Sequence, residues 1–245
     1  MTPVTDLWLI RHGESRANVA ADRAEEDLLE QIASDWRDAD VPLSALGERQ
    51  AGALAQAFQT LEPHSLPGAV WVSPYLRARQ TAEISLAGTG VPGSRVDERL
   101  RDRELGILDL LTSTGVEARF PAEAARRRWL GKFYYRPPGG ESWADVALRL
   151  RSVLADMDRH PNAATTLVVA HDAIVMNFLY VCLGLSEQEL LDFALTHTVA
   201  NASVTRLTRD ADGLWSLDVF SGDEHLRQLD VPVTEHEGDK DASIH

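Results

Sequence analysis

Two short apolar runs constrain this chain more than any other feature in it. Leu7-Trp-Leu-Ile10 and Thr165-Thr-Leu-Val-Val-Ala170 each read as a buried strand. Each stops abruptly on a histidine, the first at Arg11-His12-Gly13 and the second at His171. A third run, Ala69-Val-Trp-Val72, ends at Ser73-Pro74. Helical patterns fill the gaps. Ala51, Leu54, Phe58 and Leu61 make the apolar stripe of a helix that begins near Ser44. Ser73-Pro74 fits an N-cap with proline at the first helical position, opening a helix through about Leu86. Ser142 with Asp145 caps a long helix whose face is Val146, Leu150, Val153 or Leu154, and Met157, and Ser186-Glu-Gln-Glu189 gives a capping box for another. Strands that alternate with helices make a mostly parallel sheet covered by helices on both faces, a three-layer α/β sandwich. Ligands of such sheets sit at the carboxyl ends of the strands, where His12 and His171 are delivered.

The rest of the chain hangs on this frame. Residues 22–40 hold eight Asp/Glu against Arg23 and Arg37, and Leu28, Leu29, Ile32 and Trp36 recur at helical spacing, so a surface amphipathic helix is expected there. Residues 95–140 carry nine arginines, several aromatics and Pro137-Pro-Gly-Gly140, which reads as an irregular, partly helical insertion covering a site. Ala202–Thr208 and Leu214–Phe220 read as a hairpin around Asp210-Ala-Asp-Gly213. No repeat or linker splits the chain. The expectation is one domain over residues 1–230, with helical insertions at about 19–40 and 107–140, and an acidic, disordered tail over 231–245.

Charge and cysteine content narrow the function classes. Lys+Arg number 24 against 38 Asp+Glu, a net charge of −14, which argues against nucleic acid or an anionic membrane as partner. The segments 22–40 and 230–245 together carry −10 of that charge, so the acidity is peripheral and a small phosphate ester stays a sensible ligand. Cys182 is the single cysteine and lies in an apolar run, so it is expected to be a packed hydrophobe in a reducing, cytoplasmic setting. The run 173–185 is too short to span a bilayer, and no signal peptide is visible at the N-terminus. A homodimer is compatible with the sequence, which does not fix the oligomeric state.

The common cofactor and nucleotide motifs are absent: there is no G-x-G-x-x-G, no G-x-x-x-x-G-K-[ST] and no G-x-S-x-G. His12-Gly-Glu14 lacks the P-C-x-x-C partner of a zinc deaminase, and neither a metal nor another cofactor is expected. Phosphoryl transfer fits better. A neutral imidazole is a good nucleophile toward phosphorus, guanidinium forks suit the phosphoryl oxygens, and the leaving alkoxide needs a nearby acid. The chain offers His12 beside Arg11, Arg77 at a helix start, and acids at Asp102 and Glu104.

These residues sit in ordered motifs. Leu9-Ile-Arg-His-Gly-Glu-Ser-Arg-Ala-Asn18 resembles the R-H-G-E-[ST]-x-x-N signature of the histidine phosphatase superfamily, the phosphoglycerate mutase-like family. Pro42-Leu-Ser-Ala-Leu-Gly-Glu-Arg-Gln50 is similar to its P-L-[TS]-x-x-G-x-x-Q segment, and Ser73-Pro-Tyr-Leu-Arg-Ala-Arg-Gln-Thr-Ala82 to its S-x-x-x-R-[AT]-x-x-T-A helix start. Gly139-Gly-Glu-Ser142 and Val168-Val-Ala-His171 follow in the family's order. The resemblance implies the phosphoglycerate mutase-like fold, with His12 as the phosphorylated nucleophile. It implies that Arg11, Arg77 and His171 line the phosphate site, with Ser15 and Asn18 close by, although Asn18 could instead cap the next helix. Leu100-Arg-Asp-Arg-Glu-Leu-Gly106 places Asp102 where the family carries its acidic Glu, with Glu104 as the substitute.

Two departures stand out. Asp172 follows the second histidine where the family usually has Gly, and is expected to point away and cap the next helix. Mutase members usually continue the first motif as N-x-x-N-x-F-x-G-W, whereas Asn18 here is followed by Val19-Ala-Ala-Asp-Arg-Ala-Glu-Glu. The expected function is therefore a metal-independent phosphomonoesterase with a phosphohistidine intermediate, acting on a small phosphorylated substrate. A cofactor-dependent phosphoglycerate mutase and a non-catalytic phospholigand sensor are the alternatives. Arg126, Arg127, Arg128 and Arg136 either bind a second anionic group of the substrate or form a solvated face balanced by local acids.

Overall fold

A computed structural model describes residues 3–160 and 164–236. In chain order its elements are β1 (Asp6–Arg11), α1 (Arg16–Glu26), α2 (Ala45–Gln59), β2 (Ala69–Val72), α3 (Leu76–Leu86), β3 (Arg95–Val96), α4 (Ser113–Arg119), α5 (Pro121–Tyr134), α6 (Trp143–Met157), β4 (Thr165–Ala170), α7 (Asp172–Leu183), α8 (Glu187–Thr196), β5 (Val204–Arg209), β6 (Trp215–Gly222) and α9 (Glu224–Gln228). The strands form one sheet in the order β3-β2-β4-β1-β5-β6. The first four run parallel, and the hairpin β5–β6 closes one edge antiparallel.

Side-chain alternation splits the core into two layers, because successive strand residues face opposite sides. Leu7 and Leu9 of β1, Trp71 of β2 and Val168 of β4 pack with Val146, Leu150 and Val153 of α6 and Ile174 and Phe178 of α7. Ile10, Val70, Val72, Leu167 and Val169 face the other way, onto Leu54 and Phe58 of α2 and Ala78 and Ala82 of α3. The apolar stripes read for α2 and α6 are the faces that meet the sheet. Capping boxes at Ser142 and Ser186 form as expected. Cys182 is buried, and desolvation pushes its thiol up, so it is an inert core residue.

Two local readings differ from the structure. Helix α1 ends at Glu26 rather than continuing through Trp36. Leu28 adopts φ +51, and the Leu29 amide donates back to the Ala24 carbonyl, a left-handed helix stop. Residues beyond it pair with the insertion instead: the Ile32 amide bonds the Leu110 carbonyl, and the Thr112 hydroxyl bonds the Leu29 carbonyl at 2.6 Å. Tertiary hydrogen bonding thus overrides the helical spacing of Leu28, Leu29, Ile32 and Trp36.

The chain beyond Gln228 also differs from the expected free tail. Gln50 Nε2 donates to the Pro232 carbonyl and to Thr234 Oγ1, both at 3.0 Å, and the Asn201 amide donates to the Thr234 carbonyl at 2.9 Å. His236 Nδ1 lies 2.6 Å from Asp22 Oδ1. Residues 231–236 are therefore a strap across the α1–α2 side of the molecule, and the rest of the expected tail lies outside the described residues. No helix among the described residues is long and apolar enough to cross a membrane.

Candidate functional site

The site forms where the parallel strands β1 and β4 end side by side. Arg11 is in register with Ala170, so the next residues, His12 and His171, come to the edge as neighbours. The His12 amide still donates to the Ala170 carbonyl at 2.9 Å, and the two imidazole rings meet edge to face, 5.2 Å between centroids.

The loop after β1 is clamped from three directions. The Gly13 amide donates to Thr81 Oγ1 of α3 at 3.0 Å, and the Glu14 amide to Gln50 Oε1 of α2 at 2.8 Å. Ser44 caps α2 and also donates its hydroxyl to the Glu14 carboxylate. Helix α2 approaches so closely that a Cβ on Gly47 would lie 2.0 Å from the Glu14 carbonyl oxygen, and one on Gly13 would lie 2.6 Å from the Gly47 carbonyl oxygen. The glycines of both motifs permit backbone contact at this point.

His12 is 3% exposed and its tautomer is set by the backbone. Nδ1 lies 2.7 Å from the carbonyl of Gly13, which can only accept, so the ring proton sits on Nδ1 and the lone pair on Nε2. Arg77, the second residue of α3, directs its Nε at that Nε2 from 3.2 Å. Burial, then Arg77, then His171 and Arg11 hold the His12 pKa well below the usual histidine range. A neutral imidazole with an available lone pair beside two guanidinium groups is the arrangement a nucleophile toward phosphorus requires.

The remaining donors of Arg77 go to carboxylates. Its NH2 lies 3.2 Å from Asp102 Oδ2, and its NH1 donates to the Asp38 carbonyl at 2.6 Å and to Asp38 Oδ1 at 2.9 Å. His171 is fully buried, with Nε2 2.8 Å from the Ser73 hydroxyl. Its Nδ1 lies 3.3 Å from Asp102 Oδ2 but out of line for a hydrogen bond. Burial, Arg77 and Arg149 lower the His171 pKa well below its ordinary value. Arg11 donates to the Val199 carbonyl, and its Nε is buried with no hydrogen-bond partner among the described residues. Two buried nitrogens, Arg11 Nε and His171 Nδ1, thus lie at this end of the sheet with no hydrogen-bond partner among the described residues.

Asp102 is held by a clamp built on Glu141. Arg101 NH2 donates to Glu141 Oε1 at 2.7 Å, Arg103 Nε to its carbonyl at 2.8 Å, and Arg149 bridges Glu141 Oε2 and the Asp102 carbonyl at 3.1 Å each. Glu104 is nearly half exposed and accepts from the Tyr75 hydroxyl at 2.8 Å. The structure therefore brings Arg11, His12, Arg77, Asp102 and His171 together, with Glu104 one residue further out.

The other expected site residues are occupied elsewhere. Ser15 and Asn18 form the capping box of α1, with the Ser15 amide and hydroxyl both 2.9 Å from Asn18 Oδ1. Arg128 pairs with Glu117 and Arg136 with Asp145 on exposed surface and at the α6 cap, which is the balanced face, whereas Arg127 lies on α5 with its NH2 buried. Asp172 does not cap α7; His171 holds the N-cap position and Asp172 is the first helical residue. Desolvation raises its carboxyl pKa against the pull of Arg11. Ser73 is not an N-cap either: Tyr75 takes that place, and the Ser73 hydroxyl turns to His171. Strand β2 ends one step below the histidines, so a hydroxyl there meets the ring before it can reach the helix. Asp38 and Asn201 carried no sequence signal. Asn201 Nδ2 donates to the His12 carbonyl at 3.1 Å, a contact that only the sheet order creates.

This fold and this site define a class: an α/β protein with two buried histidines and two guanidinium groups at adjoining strand ends. Residues 7–221 match the model of the histidine phosphatase superfamily (branch 1), and the chain belongs to that family. It is 31% identical over 222 residues to a 6-phosphofructo-2-kinase/fructose-2,6-bisphosphatase of Caenorhabditis elegans, covering 89% of this chain and 42% of that protein. The human isoform 1 of the same enzyme is 32% identical over 75% of this chain and 34% of its own length. The chain thus spans less than half the length of these relatives. A mycobacterial glucosyl-3-phosphoglycerate phosphatase superposes with a TM-score of 0.70 at 28% identity, covering 89% of this chain and 99% of that one. YhfR of Bacillus stearothermophilus gives the same TM-score and identity over 91% of this chain and all of its own.

Proposed function

We propose that the chain is a metal-independent phosphomonoesterase that works through a phosphohistidine on His12. The observation that carries this reading is the tautomer of His12: the Gly13 carbonyl holds the proton on Nδ1, so Nε2 presents its lone pair beside Arg77. In the first step Nε2 attacks phosphorus and the P–O ester bond breaks. Arg11, Arg77 and His171 Nδ1 take the phosphoryl oxygens and offset the charge of the transition state. Asp102 gives the departing alkoxide its proton. Without substrate, Arg77 and His171 flank its carboxylate. A bound dianion draws those donors to itself. In the second step water attacks phosphorus, its proton passes to Asp102, the P–N bond breaks to return the lone pair to His12 Nε2, and inorganic phosphate leaves.

Phosphatases among the relatives support hydrolysis, as does the missing mutase continuation after Asn18. The test is hydrolysis of p-nitrophenyl phosphate in the presence of EDTA, with quenching in alkaline denaturant to trap the intermediate. Wild type should turn over and carry an acid-labile, base-stable phosphoryl group, while His12→Ala should lose more than about a thousandfold in kcat, the scale of removing a nucleophile. Full activity in His12→Ala refutes the mechanism.

A further inference from the structure

The phosphate end of this site is cationic, but its surroundings are not. Asp38 arrives on a 3-10 turn, Asp38–Asp40, and grips Arg77 through both its carbonyl and its carboxylate. Its side chain is 35% exposed, so it faces the approach to the site rather than the core. Asp102 lies on the same guanidinium, and Tyr75 feels Asp38, Glu104 and Asp102 together. Asp109 lies within electrostatic reach of Asp38 and Glu104. Arg101 and Arg149 close on Glu141, and Arg101 reaches Glu104 only at 3.9 Å. The leaving alcohol must depart beside Asp102, its proton donor, and so into this group of carboxylates.

We propose that Asp38 is a specificity-determining residue that makes the site select phosphate esters whose alcohol part carries no second negative charge. Hydroxyl-rich or cationic alcohols fit, because carboxylates accept hydrogen bonds and attract cations. Phosphocarboxylates and bisphosphates meet repulsion from these carboxylates. The site itself stands on independent ground, since Arg11 Nε and His171 Nδ1 are buried with no hydrogen-bond partner among the described residues. The inference rests on the phosphatase reading and adds the substrate class to it.

The test compares kcat/KM for glycerol 3-phosphate and 3-phosphoglycerate, which differ in a hydroxymethyl against a carboxylate, with p-nitrophenyl phosphate as reference. A unit charge several ångströms from another in a partly solvated site is worth about tenfold. Wild type should prefer glycerol 3-phosphate by at least that factor. Asp38→Asn should narrow the preference about tenfold, Asp38→Glu should keep it, and raised ionic strength should narrow it in wild type. The ionic-strength series decides the matter even if a variant folds poorly. Equal wild-type rates on the two esters, or a preference insensitive to both salt and Asp38→Asn, overturn the inference. Loss of preference in Asp38→Glu as well as Asp38→Asn also overturns it, because the charge would then not be the cause. If p-nitrophenyl phosphate is cleaved, such results leave the phosphatase reading standing; silence on all three esters removes both.

Discussion

The two site histidines should make this protein lose stability steeply in mild acid. His12 is 3% exposed and His171 fully buried. Desolvation, reinforced by Arg77, holds both rings well below their ordinary pKa of about 6.5. On unfolding, both rings return to water and take up protons near that value. A group whose pKa is depressed in the native state gives the unfolded state the extra proton, so stability is full above about pH 6.5 and falls as the pH drops below it. Each ring contributes a slope of about 1.4 kcal/mol per pH unit, and the pair about 2.7 kcal/mol per unit, until the native pKa values are reached. Against a typical total of about 5–15 kcal/mol, a single pH unit is a large loss. Asp38, Asp109 and Asp172 work in the opposite sense, since burial raises their carboxyls and the native state binds those protons first, and all three are retained in the histidine variant used for comparison. The histidine window opens at about pH 6.5 and runs downward, and the assay follows it to about pH 5. The assay is urea unfolding followed by tryptophan fluorescence at steps across that window, for wild type and for His12→Asn with His171→Gln. Asn places an amide near the Nδ1 position that bonds Gly13, and Gln places one near the Nε2 position that bonds Ser73. His225, also lowered by burial, titrates alike in both proteins and drops out of the difference. The double variant should lose about 2.7 kcal/mol per unit of the wild-type slope. Identical slopes in the two proteins would refute the claim that these rings are buried neutral.

Two further substitutions test the parts that surround the rings. Ser73→Ala removes the hydroxyl that bonds His171 Nε2 and leaves a buried nitrogen without that partner, so unfolding free energy should drop by about 1–3 kcal/mol, with kcat falling more than KM rises as the ring loses its orientation. Thermal melts and steady-state kinetics on p-nitrophenyl phosphate check both halves. Gly47→Ala should cost more than about 3 kcal/mol or abolish soluble expression, because its Cβ would meet the Glu14 carbonyl oxygen at 2.0 Å and neither backbone can yield without moving the His12 loop; a variant as stable and active as wild type would show that the loop is not clamped there.

Much of the fold is legible in the residues because it depends on local regularities. Leu7 to Ile10 and Thr165 to Ala170 read as buried strands since both faces of a central parallel strand are covered, and Ser142 and Ser186 announce their helices through side-chain chemistry within four residues. The helical spacing of Leu28 to Trp36 misleads for a physical reason. Apolar periodicity reports what a segment could bury, and here the Leu110 carbonyl and the Thr112 hydroxyl offer long-range hydrogen bonds that an extended path satisfies and a helix would not. Ser73 misleads in the same way: Ser-Pro is a good helix start in isolation, but a buried imidazole competes for the hydroxyl and wins.

Residue order alone carries the chemistry on offer: two histidines at strand ends, Arg11 and Arg77, acids at Asp102 and Glu104, and no motif for a nucleotide or multi-cysteine metal site. Spacing along a strand or helix is enough for that, because each residue is placed by its own element. What spacing cannot express is which elements become neighbours. The sheet order sets β1 against β4 and so makes His12 and His171 one site. Packing of α2 on the His12 loop turns Gly47 and Gln50 into supports for the nucleophile's backbone. The 3-10 turn at Asp38, the Glu141 clamp on the Asp102 loop and the strap at 231–236 decide which of the chain's many charges face the site and which cancel one another elsewhere. Charge along a chain is a sum, but the field at a reacting atom depends on distance and burial, and only the tertiary structure supplies those.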